Sequence, residues 1–264
     1  MTPELEDSLI TMAEAGDLDR MGTLLTASQE SPSEKTVQNL LATAAHSCHP
    51  KVINFLLAQY PSVPLQEEVI RTAVNTGSIP VFEALLARDP SVINMPFDKR
   101  GSPLIVACMG QQSVEYLRFL LEAGANPNQD PDAAAFPLAL VAALYKAPAA
   151  IDLLLQHGAR LEHSGALAAA ARLGNELMVR HLLGRGARPD ADDPAPAMEV
   201  NASPLHVAVS KCRLSIVRIL LQHGADPNAP DSSGATAIEV AEQMRLKRQD
   251  MSEMLDLLGG ERGR

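Results

Sequence analysis

Tryptophan is absent, and three tyrosines with five phenylalanines leave aromatics at 3% of 264 residues. An interior of large rings is thereby excluded. Hydrophobic residues still reach 46%, so whatever is buried must be built from Leu, Ala, Val and Ile. Cysteine is scarce as well. Cys48, Cys108 and Cys212 are odd in number and far apart, which argues against a disulfide framework or a zinc site and fits a reducing compartment. Positive charge is in deficit, with a formal net charge of −10. Indiscriminate adhesion to nucleic acid or anionic membrane needs surplus cations, so neither is expected as a partner. Long apolar runs are missing too. The longest, Ala133 to Tyr145, is interrupted by Pro137 and falls short of the roughly 20 residues a spanning helix needs. The N-terminus carries Glu4, Glu6 and Asp7 where a secretory signal would show a basic region before an apolar run, so a cytoplasmic location is expected.

What the chain does contain is a repeat. Gly124-Ala125, Gly158-Ala159, Gly186-Ala187 and Gly224-Ala225 each follow a Leu-Leu pair, and further pairs stand at Leu85-Leu86, Leu56-Leu57 and Leu24-Leu25. Successive pairs are 28 to 38 residues apart. A period in that range means stacked helix pairs that bury their faces against neighbours rather than around one central core. The segment 120–128 nearly repeats itself at 220–228. The glycine behind each Leu-Leu suits the left-handed position that stops a helix. Runs of small residues such as Ala168 to Ala171 suit helices that approach closely.

Upstream of two Leu-Leu pairs stand Ser102-Pro103-Leu104 and Ser203-Pro204-Leu205-His206-Val207-Ala208. On these residues the chain resembles the ankyrin family, whose Thr-Pro-Leu-His-x-Ala signature they repeat with Ser in place of Thr. Asp98 to Gly101, and Asp231 with Gly234 and Thr236, fit the family's Asp-x-x-Gly hairpin. The resemblance implies an all-α fold: a curved solenoid of about eight helix-turn-helix repeats with short β-hairpin fingers. One array over 1–264 is expected, with repeats at about 5–30, 38–62, 67–95, 98–127, 130–160, 163–190, 199–229 and 231–258. The serine hydroxyl is expected to cap the first helix of its repeat, and Pro to occupy the first helical position. Both ends are polar, with Glu4 to Arg20 at one and Glu242 to Asp250 at the other, so a monomer is expected. The connection from Gly158 to Gly165 is short, which truncates one finger. The extension Pro189 to Val200, with three prolines and three aspartates, has the composition of a mobile loop.

Candidates for chemistry are few. The string His46-Ser47-Cys48-His49 falls where a first helix ends, so its side chains diverge, and Cys48 is expected to fill a small buried slot. His157 and His223 precede Gly-Ala at helix C-termini, where imidazole suits the last carbonyls. His206, by the resemblance, makes a structural hydrogen bond to the neighbouring repeat. No phosphate-binding glycine loop, zinc spacing or nucleophile elbow is present, so no catalytic residue, metal or cofactor is assigned.

The resemblance further implies a protein-binding scaffold or adaptor that takes another protein or peptide segment in its concave groove and fingers. Placing the family's variable positions by register gives Glu14, His46, Asn75, Met109, Tyr145, Arg172 and Lys211, with Lys99 and Arg100 on a finger. Met109 and Tyr145 are the central apolar candidates. The alternative is an enzyme or small-molecule-binding protein that uses the same face as a pocket, with His46, Asn75 or Arg172 as its most exposed weak points.

Overall fold

The computed structural model of the chain describes residues 2–28, 31–98, 101–128, 136–190, 203–231, 233–246 and 250–259. Among them stand sixteen α-helices and one 3-10 turn, with no sheet, so the fold class is all-α as expected. The helices come in consecutive pairs, and the chain divides into two compact units, Met1–Asn126 and Pro127–Arg264.

The N-terminal unit holds α1 (Pro3–Ala15) and α2 (Leu18–Ala27), α3 (Glu34–His46) and α4 (Pro50–Gln59), and α5 (Glu67–Thr76) and α6 (Ile79–Arg88). The 3-10 turn at Pro90–Asn94 leads into α7 (Pro103–Met109) and α8 (Val114–Glu122). First helices pack in series, α1 on α3, α3 on α5 and α5 on α7, while α2 packs on α4 and α4 on α6. Helix α3 shows why. Ser33 accepts from the Thr36 N–H and Glu34 sits at the positive end of the helix. Val37, Leu40, Leu41, Ala44 and Ala45 then fall on one buried stripe, with Lys35, Asn39 and His46 exposed. Phe82 of α6 and Tyr116 and Phe119 of α8 form an aromatic cluster with ring centroids 6.0 to 6.5 Å apart.

The C-terminal unit holds α9 (Pro137–Leu144) and α10 (Ala149–Gln156), α11 (Ala166–Leu173) and α12 (Glu176–Gly184), α13 (Pro204–Ser210) and α14 (Leu214–Gln222), and α15 (Ala237–Leu246) and α16 (Ser252–Gly259). Helix α11 is pressed between α9 and α13. Its Ala166 and Ala168 to Ala171 are buried, and side chains larger than alanine at that row would hold three helices apart.

Leu120, Leu154, Leu182 and Leu220 are each 0% exposed, which places the recurring pair in the core. The glycines that follow are left-handed, with φ of 100° at Gly124, 86° at Gly158, 94° at Gly186 and 90° at Gly224. A Cβ at any of the four would meet nothing within 4 Å. Conformation rather than room therefore selects glycine there.

One sequence expectation is corrected. Neither Ser102 nor Ser203 caps its helix: the Ser203 hydroxyl is spent on the His206 ring, and the buried Ser102 hydroxyl has no hydrogen-bond partner. Among the described residues the finger segments carry isolated antiparallel bridges, Phe97 with Gly101 and Pro230 with Thr236. Asp231 holds the second of these turns by accepting from the Ser233 and Ala235 N–H groups at 2.8 and 3.1 Å. The extension expected to be mobile falls mainly on 191–200, outside the described residues.

Candidate functional site

Helices α1, α3 and α5 each bury one face and expose the other. In the N-terminal unit the exposed faces of α1, α3 and α5 enclose a depression of about 630 Å³. Lys35, Asn39 and Thr43 line it from α3 at a spacing of four, with Ile10 of α1 on one side and Gln66 and Glu68 on the other. The Gln38 amide donates to the Pro64 carbonyl and ties α3 to the loop before α5, and its Oε1 is buried with no hydrogen-bond partner. Both charge signs, amides and aliphatic carbon meet here on a surface open to solvent. That mixture suits contact with another polypeptide more than an enclosed chamber with converging polar groups.

Seven of the nine expected site residues lie elsewhere, on the turns that join first to second helices within each unit. Glu14, His46, Asn75, Met109 and Arg172 sit in the last turns of α1, α3, α5, α7 and α11, and Tyr145 and Lys211 cap α9 and α13. All are exposed save Tyr145, which is half-buried. Lys99 and Arg100 are outside the described residues. At or beside these turns stand the large hydrophobic side chains that are strongly exposed among the described residues, Met109 (53%) in the N-terminal unit and Leu173 (48%), Leu177 (57%) and Leu246 (80%) in the C-terminal one.

Contacts from one turn to the next stiffen the row within each unit. His49 donates through Nε2 to the Glu14 carbonyl at 2.9 Å, and Gln112 donates to the Asn75 carbonyl at 2.8 Å. In the C-terminal unit Asn175 donates to the Tyr145 carbonyl at 3.0 Å, and the Arg213 guanidinium covers Gly174 so closely that a Cβ there would lie 3.1 Å from its Cζ. His49, Gln112 and Asn175 occupy carbonyls that a helix C-terminus leaves without an intrahelical donor. Sequence reasoning missed them. A polar residue one or two positions ahead of the second helix was the available signal, at His49, Gln112, Asn175 and Arg213. A second series was missed as well. Asn94 bonds both the Gly124 carbonyl and the Asn126 N–H, at 2.9 Å each, and Asn128 does the same to Gly158 and Arg160 at 2.8 Å each. Asp190 accepts from the Asp226 N–H at 3.0 Å. The signal for Asn128 and Asp190 was an Asn or Asp four residues after the Gly of Gly-Ala, and Asn94 carried no such mark.

The string from His46 to His49 does diverge. His49 is spent on Glu14, while His46 is exposed. Cys48 is exposed with φ 60°, which corrects the buried slot expected for it: the turn needs a left-handed residue there, and that backbone points the thiol outward. His223 donates through Nδ1 to the Ile219 carbonyl at 2.8 Å at the end of α14. His206 is 3% exposed and joins two repeats, its Nδ1 2.7 Å from the Ser203 hydroxyl and its Nε2 2.9 Å from the Ala235 carbonyl. The carbonyl can only accept, so Nε2 carries the proton and Nδ1 accepts from the serine. Burial pushes the Cys108 thiol up to about 12, which leaves it protonated and a poor nucleophile. Burial also raises Tyr116, whose hydroxyl has no hydrogen-bond partner.

Two small cavities, of about 180 and 80 Å³, flank the turn at His163 where the connection before α11 is short. Drug-sized ligands occupy roughly 300–1,000 Å³. Among the described residues no three His, Cys, Asp or Glu side chains converge as metal ligands would, and no helix is long and apolar enough to cross a membrane.

A family model for ankyrin repeats in three copies matches residues 167–258, and a model for a single ankyrin repeat matches 101–131. Zygote-specific protein 3 of Chlamydomonas reinhardtii is 36% identical over 92 residues, 35% of this chain and 21% of that one. A protein of Pyrobaculum aerophilum named for its ankyrin repeats is 38% identical over 78 residues, 30% of this chain and 27% of that one. The 2-5A-dependent ribonuclease of Mus musculus is 36% identical over 81 residues, 31% of this chain and 10% of that one. The chain thus spans between about a tenth and about a quarter of the length of these relatives.

Proposed function

Because the chain is an ankyrin-repeat protein, we propose that it is a non-catalytic scaffold that receives another protein, or a segment of one, on the exposed side of its first helices and their turns. Ankyrin repeats are generally protein–protein interaction modules. The observation that carries the reading is the depression over α1, α3 and α5: broad, open to solvent, and lined by Lys35, Asn39, Thr43 and Glu68 together with Ile10. Met109 and Tyr145 are proposed as apolar anchors, with Glu14, His46, Asn75, Arg172 and Lys211, and Lys99 and Arg100 of the finger, as polar contacts around them. The scaffold is proposed to work as a cytoplasmic monomer, in keeping with three free cysteines.

Capture on the immobilised full chain from native extract, followed by reconstitution with the identified protein in pure form, tests this. A complex is expected that Lys35→Glu with Asn39→Ala weakens at least tenfold at unchanged helical content. Failure to reconstitute any complex, or a catalysed turnover abolished by one substitution at His46, Asn75 or Arg172, would overturn it.

A further inference from the structure

The two units carry the same turns with different charge. In the N-terminal unit the residues between first and second helices, at 14–18, 46–50, 75–79 and 109–114, include no Lys or Arg. In the C-terminal unit each corresponding turn has at least one: Lys146 after α9, Arg172 in α11, Lys211 and Arg213 between α13 and α14, and Arg245 near the end of α15. All five are exposed. Among the described residues none lies in an ion pair, and the carboxylates in those turns are Glu176 at the start of α12 and Asp250 before α16, which is taken up by the Ser252 N–H and hydroxyl. A chain of net charge −10 has thus gathered cations along one edge. The same edge holds Leu173, Leu177 and Leu246, the three most exposed large hydrophobics of this unit. Scattered exposed leucines need no explanation, but three on a single row of turns, interleaved with cations, make a strip.

We propose that this strip docks an acidic segment of a partner protein in extended conformation, with aliphatic side chains between its carboxylates. The inference rests on the protein-binding reading and deepens it by naming the partner's chemistry. Direct contacts join the strip into one surface: Asn175 to the Tyr145 carbonyl, Arg213 over Gly174, and Cys212 Sγ to Met251 Sδ at 3.8 Å. Packed helices lie about 8–10 Å apart, and an extended chain advances roughly 3.3 Å per residue. One carboxylate at about every third position therefore meets one cation per repeat, and the intervening aliphatics fall between them onto the leucines. Nucleic acid offers the negative charge without the aliphatic groups, and the overall negative charge of this chain repels a long polyanion.

Fluorescence anisotropy on the full chain, with a labelled peptide of five Glu-Leu-Ser units, reads this directly. The triple variant Arg172→Glu/Lys211→Glu/Arg245→Glu leaves Arg213 in place over Gly174, and it is expected to lower peptide affinity at least tenfold. Leu173→Ser/Leu177→Ser is expected to lower it several-fold with the salt dependence kept, because cations govern encounter and apolar contacts govern residence. Thermal melting of each variant checks that the fold persists. Four results would each overturn the strip: no binding of the peptide to the unaltered chain, equal affinity for the triple variant, equal affinity for a peptide of the same composition with its glutamates in one block, or equally tight binding of a fifteen-residue oligo-dT or of phosphatidylserine vesicles. If the partner from the reconstitution above binds the triple variant as well as the unaltered chain, the strip fails while the scaffold reading stands. If no partner reconstitutes but the spaced peptide binds as described, the scaffold reading loses its support and the strip keeps its own.

Discussion

Helix α7 opens on Ser102-Pro103-Leu104-Ile105 and α13 on Ser203-Pro204-Leu205-His206, and the difference of one residue decides the fate of a buried hydroxyl. Ser102 and Ser203 are 4% and 5% exposed. Ser203 donates to the His206 ring, which in turn reaches the Ala235 carbonyl of the next repeat, whereas the Ser102 hydroxyl has no partner. Isoleucine fills the place of the ring without its nitrogens. The serine of this motif therefore works for the histidine and not as a helix cap. Where the histidine is lost, the hydroxyl stays behind as an unpaired group that costs about 1–3 kcal/mol.

The largest expected effect tests what the two regions share. Leu120→Ala and Leu220→Ala each empty a fully buried site and should each cost about 2–5 kcal/mol, with neighbouring repeats weakened through their interfaces. Denaturant unfolding reads both, and a midpoint shift no larger than that of the exposed Glu122→Ala would break the equivalence. Next comes His206→Ala, which leaves the Ser203 hydroxyl and the Ala235 carbonyl without their shared ring. A loss of about 1–3 kcal/mol is expected. The sharpest contrast is in sign: Ser203→Ala should destabilise by about 1 kcal/mol, while Ser102→Ala should be neutral or stabilising. Tyr116→Phe removes another unpartnered buried hydroxyl and should behave like Ser102→Ala. Equal losses from the two serine variants would show that the hydroxyls have equivalent surroundings after all.

The smallest effect is in acid. Burial acts to raise the Asp231 carboxyl, but the bonds it accepts from the Ser233 hydroxyl and the Ala235 and Ser233 N–H groups, with the nearby His206, outweigh it and hold the group below the ordinary carboxylate value. A lowered folded value means stability that is present above the unfolded carboxylate value, near pH 4, and lost as pH falls through the folded one. Asp231→Asn should therefore flatten the acid limb of the stability curve below about pH 4. An unchanged acid limb in the Asp231→Asn protein would remove that coupling.

Much of the fold was legible because its signals are periodic or local. The Leu-Leu pairs, the left-handed glycines and the alanine row of α11 each follow from spacing and from what one residue type can do. The polar pairings were not legible, since their acceptors are backbone carbonyls 30 to 37 residues away that any residue type supplies. The capping role expected of Ser102 and Ser203 failed for a related reason. A hydroxyl chooses among partners in three dimensions: Ser203 takes the ring three residues on, and Ser102, with Ile105 in that place, has no partner at all. Of the candidate site, the register led to the row of turns, at Glu14, His46, Asn75, Met109, Tyr145, Arg172 and Lys211. The depression over α3 needed coordinates, because Lys35, Asn39 and Thr43 become neighbours of Ile10 and Glu68 only after three helices have stacked.

The asparagines of the loops have an outcome for how such a chain can change over generations. Asn94 and Asn128 each read a carbonyl and an N–H two positions apart in the following loop, and both atoms belong to the backbone. Replacing side chains in the receiving loop leaves these bonds intact, whereas inserting or deleting one residue between the two atoms breaks them. The ladder is thus blind to identity and strict about phase. Repeats tied in this way are free to drift apart in composition until little resemblance remains, while their lengths stay in step.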